Sequence, residues 1–148
     1  MDIKSLLQLT VEKKASDLHI LAGIPPMIRI DGSLAAIPGE TVLTPDDTQK
    51  IAREILKSEQ LDRFIVNKEL DFSLSFSDKA RFRVNAYTQR GSSAISFRQI
   101  PLVVPDLASL GLPKILNYFA TLKQGFVLVT GPTGHGKSTT LAAILDEI

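Results

Sequence analysis

The chain has no cysteine. That absence excludes disulfides, thiolate nucleophiles and cysteine-ligated zinc or iron-sulfur clusters together. Its two histidines, His19 and His135, stand too far apart in sequence to build a histidine metal site without carboxylate help. An excess of charge of one sign is missing as well: 17 Lys plus Arg stand against 16 Asp plus Glu, a net charge of +1. A chain so near neutrality does not hold polyanions through bulk charge, so any phosphate chemistry has to sit at a local site. No apolar run approaches the roughly 18 residues that a membrane-spanning helix needs, and Met1-Asp2 begins nothing like a signal peptide. The expectation is a cytosolic chain. With 44% apolar residues, 22% charged, 9 Gly and 8 Pro, the 148 residues fit one ordinary domain or two small ones, and neither disorder nor a fibrous repeat.

What is present divides at a pair of prolines. Ile3, Leu6, Leu7 and Val11 fall at helical spacing, with Asp2 placed to cap the first amides. Alternation over 15–21 and again at Met27 to Ile30, followed by Asp31-Gly32 and a run from Leu34 to Ile37, predicts a small sheet containing a hairpin. Thr44-Pro45 opens a helix that carries Ile51, Ile55 and Leu56, and a second short helix follows from Ser58 with Leu61, Phe64 and Ile65. Strand-like stretches occupy 70–76, 80–89 and 93–100. Residues 1–100 therefore read as one domain, with 101–112, punctuated by Pro101 and Pro105, as a linker. Beyond it, Pro113 to Lys123 is helical in pattern, with Ile115, Leu116, Phe119 and Leu122. The unbroken run from Phe126 to Val129 predicts a strand buried on both faces of a parallel sheet.

Directly after that run comes Gly131-Pro132-Thr133-Gly134-His135-Gly136-Lys137-Ser138, the spacing G-x-x-x-x-G-K-[ST]. Glycines let successive backbone N–H groups converge on an anion at a helix N-terminus. Lys137 is expected to reach the β- and γ-phosphates of ATP, Ser138 to ligate Mg²⁺, and Thr139 to touch the α-phosphate. A helix is predicted over 139–148 with Leu141, Ile144 and Leu145 turned inward. A dinucleotide-binding turn fails, because a third small residue would have to stand where Thr139 is. Only ten residues follow Ser138, too few for a second acidic strand or a group that orients water. The expectation is an N-terminal piece of a longer protein, inactive in hydrolysis by itself.

Between Lys79 and Pro105 there is no Asp or Glu, while Arg81, Arg83, Arg90 and Arg98 all fall inside. Strand alternation puts Arg81 and Arg83 on one face, and Arg98 could join them from the next strand. With no acid nearby in sequence, surface ion pairing explains them poorly. A solvated sheet face remains open. So does nucleic-acid binding, although Phe82, Tyr87 and Phe97 make no evident stacking platform. The third option, favoured here, is that they act as arginine fingers toward a triphosphate. His19 reads as a structural or interface residue, with Asp17 two positions away on the same face.

Four motifs carry a family likeness: Ala15-Ser16-Asp17-Leu18-His19; Pro25-Pro26 through Arg29-Ile30-Asp31-Gly32; Ala80-Arg81-Phe82-Arg83-Val84-Asn85-Ala86-Tyr87; and Val129-Thr130-Gly131-Pro132-Thr133-Gly134 to Thr140. In this order they resemble the type IV pilus retraction ATPases of the secretion ATPase superfamily, over essentially the whole chain. The resemblance implies an α/β protein: a PAS-like α+β N-terminal domain, then the truncated start of a RecA-like P-loop domain at 113–148. It also implies a homo-hexamer that binds ATP and Mg²⁺, with Arg81, Arg83 and Arg98 approaching the nucleotide. The implied work is pilus retraction (twitching motility) against an inner-membrane pilus platform protein at the cytoplasmic face, with no nucleic acid involved. Family loops commonly carry Ser where this chain has His135. Pilus assembly and type II secretion ATPases share the core but usually carry an additional preceding domain. A nucleotide-binding or oligomerisation module without hydrolysis is the other alternative for the piece.

Overall fold

Asp2 caps the first helix by accepting a hydrogen bond from the Lys4 amide at 3.1 Å, and α1 (Ile3–Glu12) buries Ile3, Leu6 and Leu7. The chain then enters β1 (Asp17–Ile20), β2 (Met27–Ile30) and β3 (Ser33–Ala36). Asp31 and Gly32, both at positive φ (48° and 82°), form the two-residue connection between β2 and β3, and their backbone twist matches that of the flanking strands. Thr44 and Asp47 exchange capping hydrogen bonds (Asp47 N to Thr44 Oγ1 3.2 Å, Thr44 N to Asp47 Oδ2 2.9 Å), and Pro45 opens α2 (Pro45–Ile55). α3 (Ser58–Asn67) leads into β4 (Glu69–Phe76), β5 (Ala80–Gln89) and β6 (Ser92–Ile100).

These strands form one antiparallel six-stranded sheet in the order β3-β2-β1-β6-β5-β4. Two three-stranded meanders are joined by the pairing of β1 with β6, in which Leu18 faces Phe97 and Ile20 faces Ile95. Alternation then sorts the faces. Leu18, Ile20, Ile28, Leu70, Phe82, Val84, Ala86, Ile95 and Phe97 turn inward against Ile3, Leu6 and Leu7 of α1, Ile51 and Ala52 of α2, and Phe64 of α3. Phe82 meets Phe97 edge to face with centroids 6.3 Å apart. The opposite face carries Asp17, His19, Arg29, Arg81, Arg83, Asn85, Ser96 and Arg98.

This computed structural model describes residues 2–78, 80–100, 102–132 and 135–148, and divides into two compact units, Met1–Pro101 and Leu102–Ile148. In the second, α4 (Ile115–Ala120) and α5 (Lys137–Asp146) gather a small core of Leu107, Ala143 and Ile144, with Leu110, Leu112, Leu116 and Ala120 packed around it. The stretch 101–112, read from the sequence as a linker, thus contributes three leucines to this core. Among the described residues no helix is long and apolar enough to cross a membrane.

Two expectations are corrected here. Residues 126–129 are not a buried strand: they take no strand assignment, and Phe126 and Leu128 are 86% and 70% exposed. A strand needs a neighbour to receive its N–H and C=O groups, and none of the described strands lies in the second unit. On α5 the inward residues are Ala143 and Ile144, while Leu141 and Leu145 face solvent; the helix begins at Lys137 rather than Thr139. Phe97→Ala is expected to cost about 3–5 kcal/mol of stability by urea unfolding, whereas Leu128→Asp should change it by less than about 0.5 kcal/mol.

Candidate functional site

Two places in the chain concentrate chemistry, and each is built from its own backbone. The first is the polar face of the sheet. Register places Arg83 opposite Arg98, Arg98 opposite Asp17, and Asp17 opposite Arg29, so one transverse row crosses four strands as Arg-Arg-Asp-Arg. Arg81 stands on the same face of β5, opposite Ile100. In the neighbouring row His19 pairs with Ser96, and Ser96 with Asn85. A depression of about 380 Å³ lies over these rows, lined among others by Asp17, His19, Arg83 and Arg98, with Glu69 and Asp71 of β4.

Asp17 organises this face. Its side chain is 8% exposed, yet both of its oxygens are used: Arg98 Nε donates to Oδ1 at 2.9 Å, Ser16 Oγ donates to Oδ2 at 2.8 Å, and Arg29 Nε lies 3.5 Å from Oδ2. Arg83 reaches Asp71 at 3.5 Å, and Asn85 donates to Glu69 at 3.1 Å. The view that no acid attends the arginines is therefore corrected. Their carboxylates come from adjacent strands: Asp17 of β1 stands 81 residues from Arg98, and Asp71 of β4 lies on the strand that precedes Arg83's. Asp17, two positions from His19 on the same face, serves Arg98, Arg29 and Ser16. The sequence held one signal for this, an aspartate on the alternation of β1; the strand that would lie beside it could not be read.

Burial pushes the Asp17 carboxyl up, but the hydrogen bonds from Ser16 and Arg98 and the nearby positive charge outweigh it, leaving it below its ordinary value of 3.8. Burial pushes His19 down, and the charges of Arg29 and Arg98 add to that against the opposing pull of Asp17, so the imidazole sits below 6.5; its Nε2 is buried with no hydrogen-bond partner among the described residues.

The second place is the loop before α5. Gly131 (φ 150°) and Gly136 (φ 76°) take conformations that favour glycine, and Gly136 is the N-cap of α5. Lys137 folds back over the loop, its Nζ donating to the Pro132 carbonyl at 2.6 Å and its Cδ 3.8 Å from where a Cβ on Gly131 would stand. Ser138 and Thr139 are exposed in the first turn, where backbone N–H groups have no acceptor within the helix, and His135 is exposed beside them. Of the residues expected to cradle phosphate, Thr133 and Gly134 lie outside the described residues. The remaining ones, Gly131, Pro132, His135, Gly136, Lys137, Ser138 and Thr139, precede or open α5, whose N-cap is Gly136. No group of three or more metal-ligating His, Cys, Asp or Glu side chains occurs among the described residues.

The sign of the pH dependence follows from these shifts. The stabilisation from Asp17 is complete above 3.8 and is lost as the pH falls through its lower folded value. The same holds for Asp47, held down by hydrogen bonds from Thr44, and Asp106, held down by those from Ser109. His19 acts earlier, because below 6.5 the unfolded chain takes up a proton that the folded imidazole resists. Thermal unfolding should therefore begin to drop near pH 6.5 and drop further below pH 4. His19→Gln should remove the upper part of that decline and leave the lower.

The model for the type II/IV secretion system protein family matches residues 2–148. The chain is similar to the type IV pilus retractation ATPase PilT of Pseudomonas aeruginosa, 42% identical over 148 residues that make up 100% of this chain and 43% of that protein. It is similar also to the type IV pilus ATPase PilU of the same organism, 39% identical over 98% of this chain and 38% of the relative. Among solved structures it resembles the pilus retraction motor PilT with bound ADP, with a TM-score of 0.85 and 37% identity over 99% of this chain and 43% of that one. The chain thus spans less than half the length of these relatives. The α/β class read from the sequence, with a PAS-like α+β N-terminal domain, stands, and the six-stranded sheet is its body. From the match along its length, the chain belongs to the type II/IV secretion system protein family.

Proposed function

We propose that this chain is the N-terminal, nucleotide-gripping part of an ATP-driven motor that powers type IV pilus retraction. The observation that carries the reading is the G-x-x-x-x-G-K-S loop ending on the N-cap of α5, in a chain similar along its whole length to a retraction ATPase. In this reading 1–100 is the PAS-like domain and 113–148 opens a RecA-like domain. The backbone of Gly131, Pro132, Thr133, Gly134, His135 and Gly136 cradles the phosphates. Lys137 exchanges the Pro132 carbonyl for phosphate oxygens, and Thr139 meets the α-phosphate. A single exposed hydroxyl at the start of a helix suits Mg²⁺, which takes few protein oxygens and completes its shell with phosphate and water, so Ser138 is the side chain that would hold it. When bound, the ion neutralises phosphate charge.

Arg81, Arg83 and Arg98 are assigned to charge that builds up in phosphoryl transfer, as groups of the first domain directed at a nucleotide held by a RecA-like core. The assembly proposed is a homo-hexameric ring, acting on a platform protein at the cytoplasmic face of the inner membrane.

Calorimetry should detect Mg²⁺-dependent ATP binding by the 148-residue chain, weakened by at least about tenfold in Lys137→Ala, since the lysine contributes charge-assisted hydrogen bonds. Phosphate release should stay at background; lysine-dependent turnover by this chain would contradict the assignment of missing catalytic parts. In the full-length protein, Arg81→Ala or Arg98→Ala should lower kcat while leaving KM for ATP within about threefold. Equal loss in both would make these groups ground-state binders.

A further inference from the structure

The four arginines on the polar face of the sheet are held in four different ways. Arg29 is spent: its Nε faces Asp17 at 3.5 Å, its Nη1 donates to the Gly32 carbonyl at 3.0 Å, and its side chain is 37% exposed. Arg83 is held loosely by its tip, a terminal amino group 3.5 Å from Asp71, which is itself half-exposed. Arg81 makes no ion pair among the described residues. Arg98 is held, among the described residues, by its root alone. Its Nε donates to Asp17 Oδ1 at 2.9 Å, its two terminal amino groups take no acceptor among the described residues, and its side chain is 73% exposed.

A hydrogen bond at Nε fixes the plane of a guanidinium without using the paired N–H groups that read a phosphate or carboxylate edge. The carboxylate that makes this bond is itself locked. Asp17 is buried, its second oxygen is occupied by Ser16 and Arg29, and it cannot reach a ligand directly. The Arg83 guanidinium, opposite Arg98 on the adjoining strand, adds positive charge beside the presented fork.

We propose that Asp17 is a positioning residue which, through Arg98 Nε, presents the terminal amino groups of Arg98 to an anion, making Arg98 the preformed anion-reading group of this face ahead of Arg81 and Arg83. The arrangement belongs to the sheet alone. Only the identity of the anion, a nucleotide phosphate, rests on the ATPase reading above.

Two measurements test it. In the ¹⁵N-labelled 148-residue chain, the Arg98 Hε should exchange with water about tenfold or more slowly than the Arg81 Hε, as a short charge-assisted bond requires, and Asp17→Asn should abolish the difference. In the full-length protein, Asp17→Asn should lower kcat by about 10- to 100-fold with KM for ATP nearly unchanged, as expected for a misplaced catalytic group. The Asp17→Asn/Arg98→Ala double variant should be no worse than Arg98→Ala. Arg98→Lys keeps the charge and loses the anchored fork, so it should fall with Arg98→Ala, and it decides the matter if Asp17→Asn fails to fold. Equal Hε exchange at Arg98 and Arg81, additive losses in the double variant, or full activity in Arg98→Lys would each overturn the proposal. A full-length protein that turns over no ATP while Arg98 Hε stays slow in the parent and fast in Asp17→Asn would overturn the function proposed above and uphold the positioning.

Discussion

Because a carboxylate withdrawn from water is costly unless its lone pairs are filled, Asp17 constrains everything around it. Its oxygens are filled by one hydroxyl and two guanidiniums, and these come from two strands, β2 and β6, and the residue just before β1. The pairing of β1 with β6 is what joins the two meanders into one sheet, and it is also what brings Arg98 to Asp17. A single register choice therefore closes the hydrophobic face, with Leu18 on Phe97, and assembles the charged row on the other face. A slip of one residue would turn both faces over at once. The stability of the sheet and the orientation of its arginines are two consequences of the same alignment.

The loop before α5 works by a different principle. None of its described residues is deeply buried, and its order comes from backbone geometry: two glycines at positive φ and a helix whose first amides have no acceptor of their own. The lysine rests on a carbonyl oxygen, an acceptor that a phosphate oxygen can replace without a change in the number of hydrogen bonds. One site is thus preorganised by burial and the other by chain direction.

Much of the fold was legible because local rules and global packing agree over 1–100. The Asp2 cap, the Thr44-Pro45-Asp47 box, the Asp31-Gly32 turn and the strict alternation of Arg81-Phe82-Arg83-Val84 each state their element within a few residues. Beyond residue 101 the agreement breaks. Phe126 to Val129 has the composition of a buried strand, but composition supplies no hydrogen-bonding neighbour, and the segment lies exposed. Leu141 and Leu145 have helical spacing, yet the small core formed by Leu107 with Ala143 and Ile144 sets which stripe of α5 turns inward.

The amino-acid sequence by itself determined the elements of the first unit, the glycine-lysine loop and the face on which Arg81 and Arg83 lie. Caps, turns and period-two alternation act between neighbours in the chain, so they are written there. Only the tertiary structure decided which acid meets which arginine, since Asp17 and Arg98 stand 81 residues apart and touch only through strand order and register. Those are settled by burying Leu18, Ile20, Ile95 and Phe97 together, a cooperative gain that no local stretch of sequence contains.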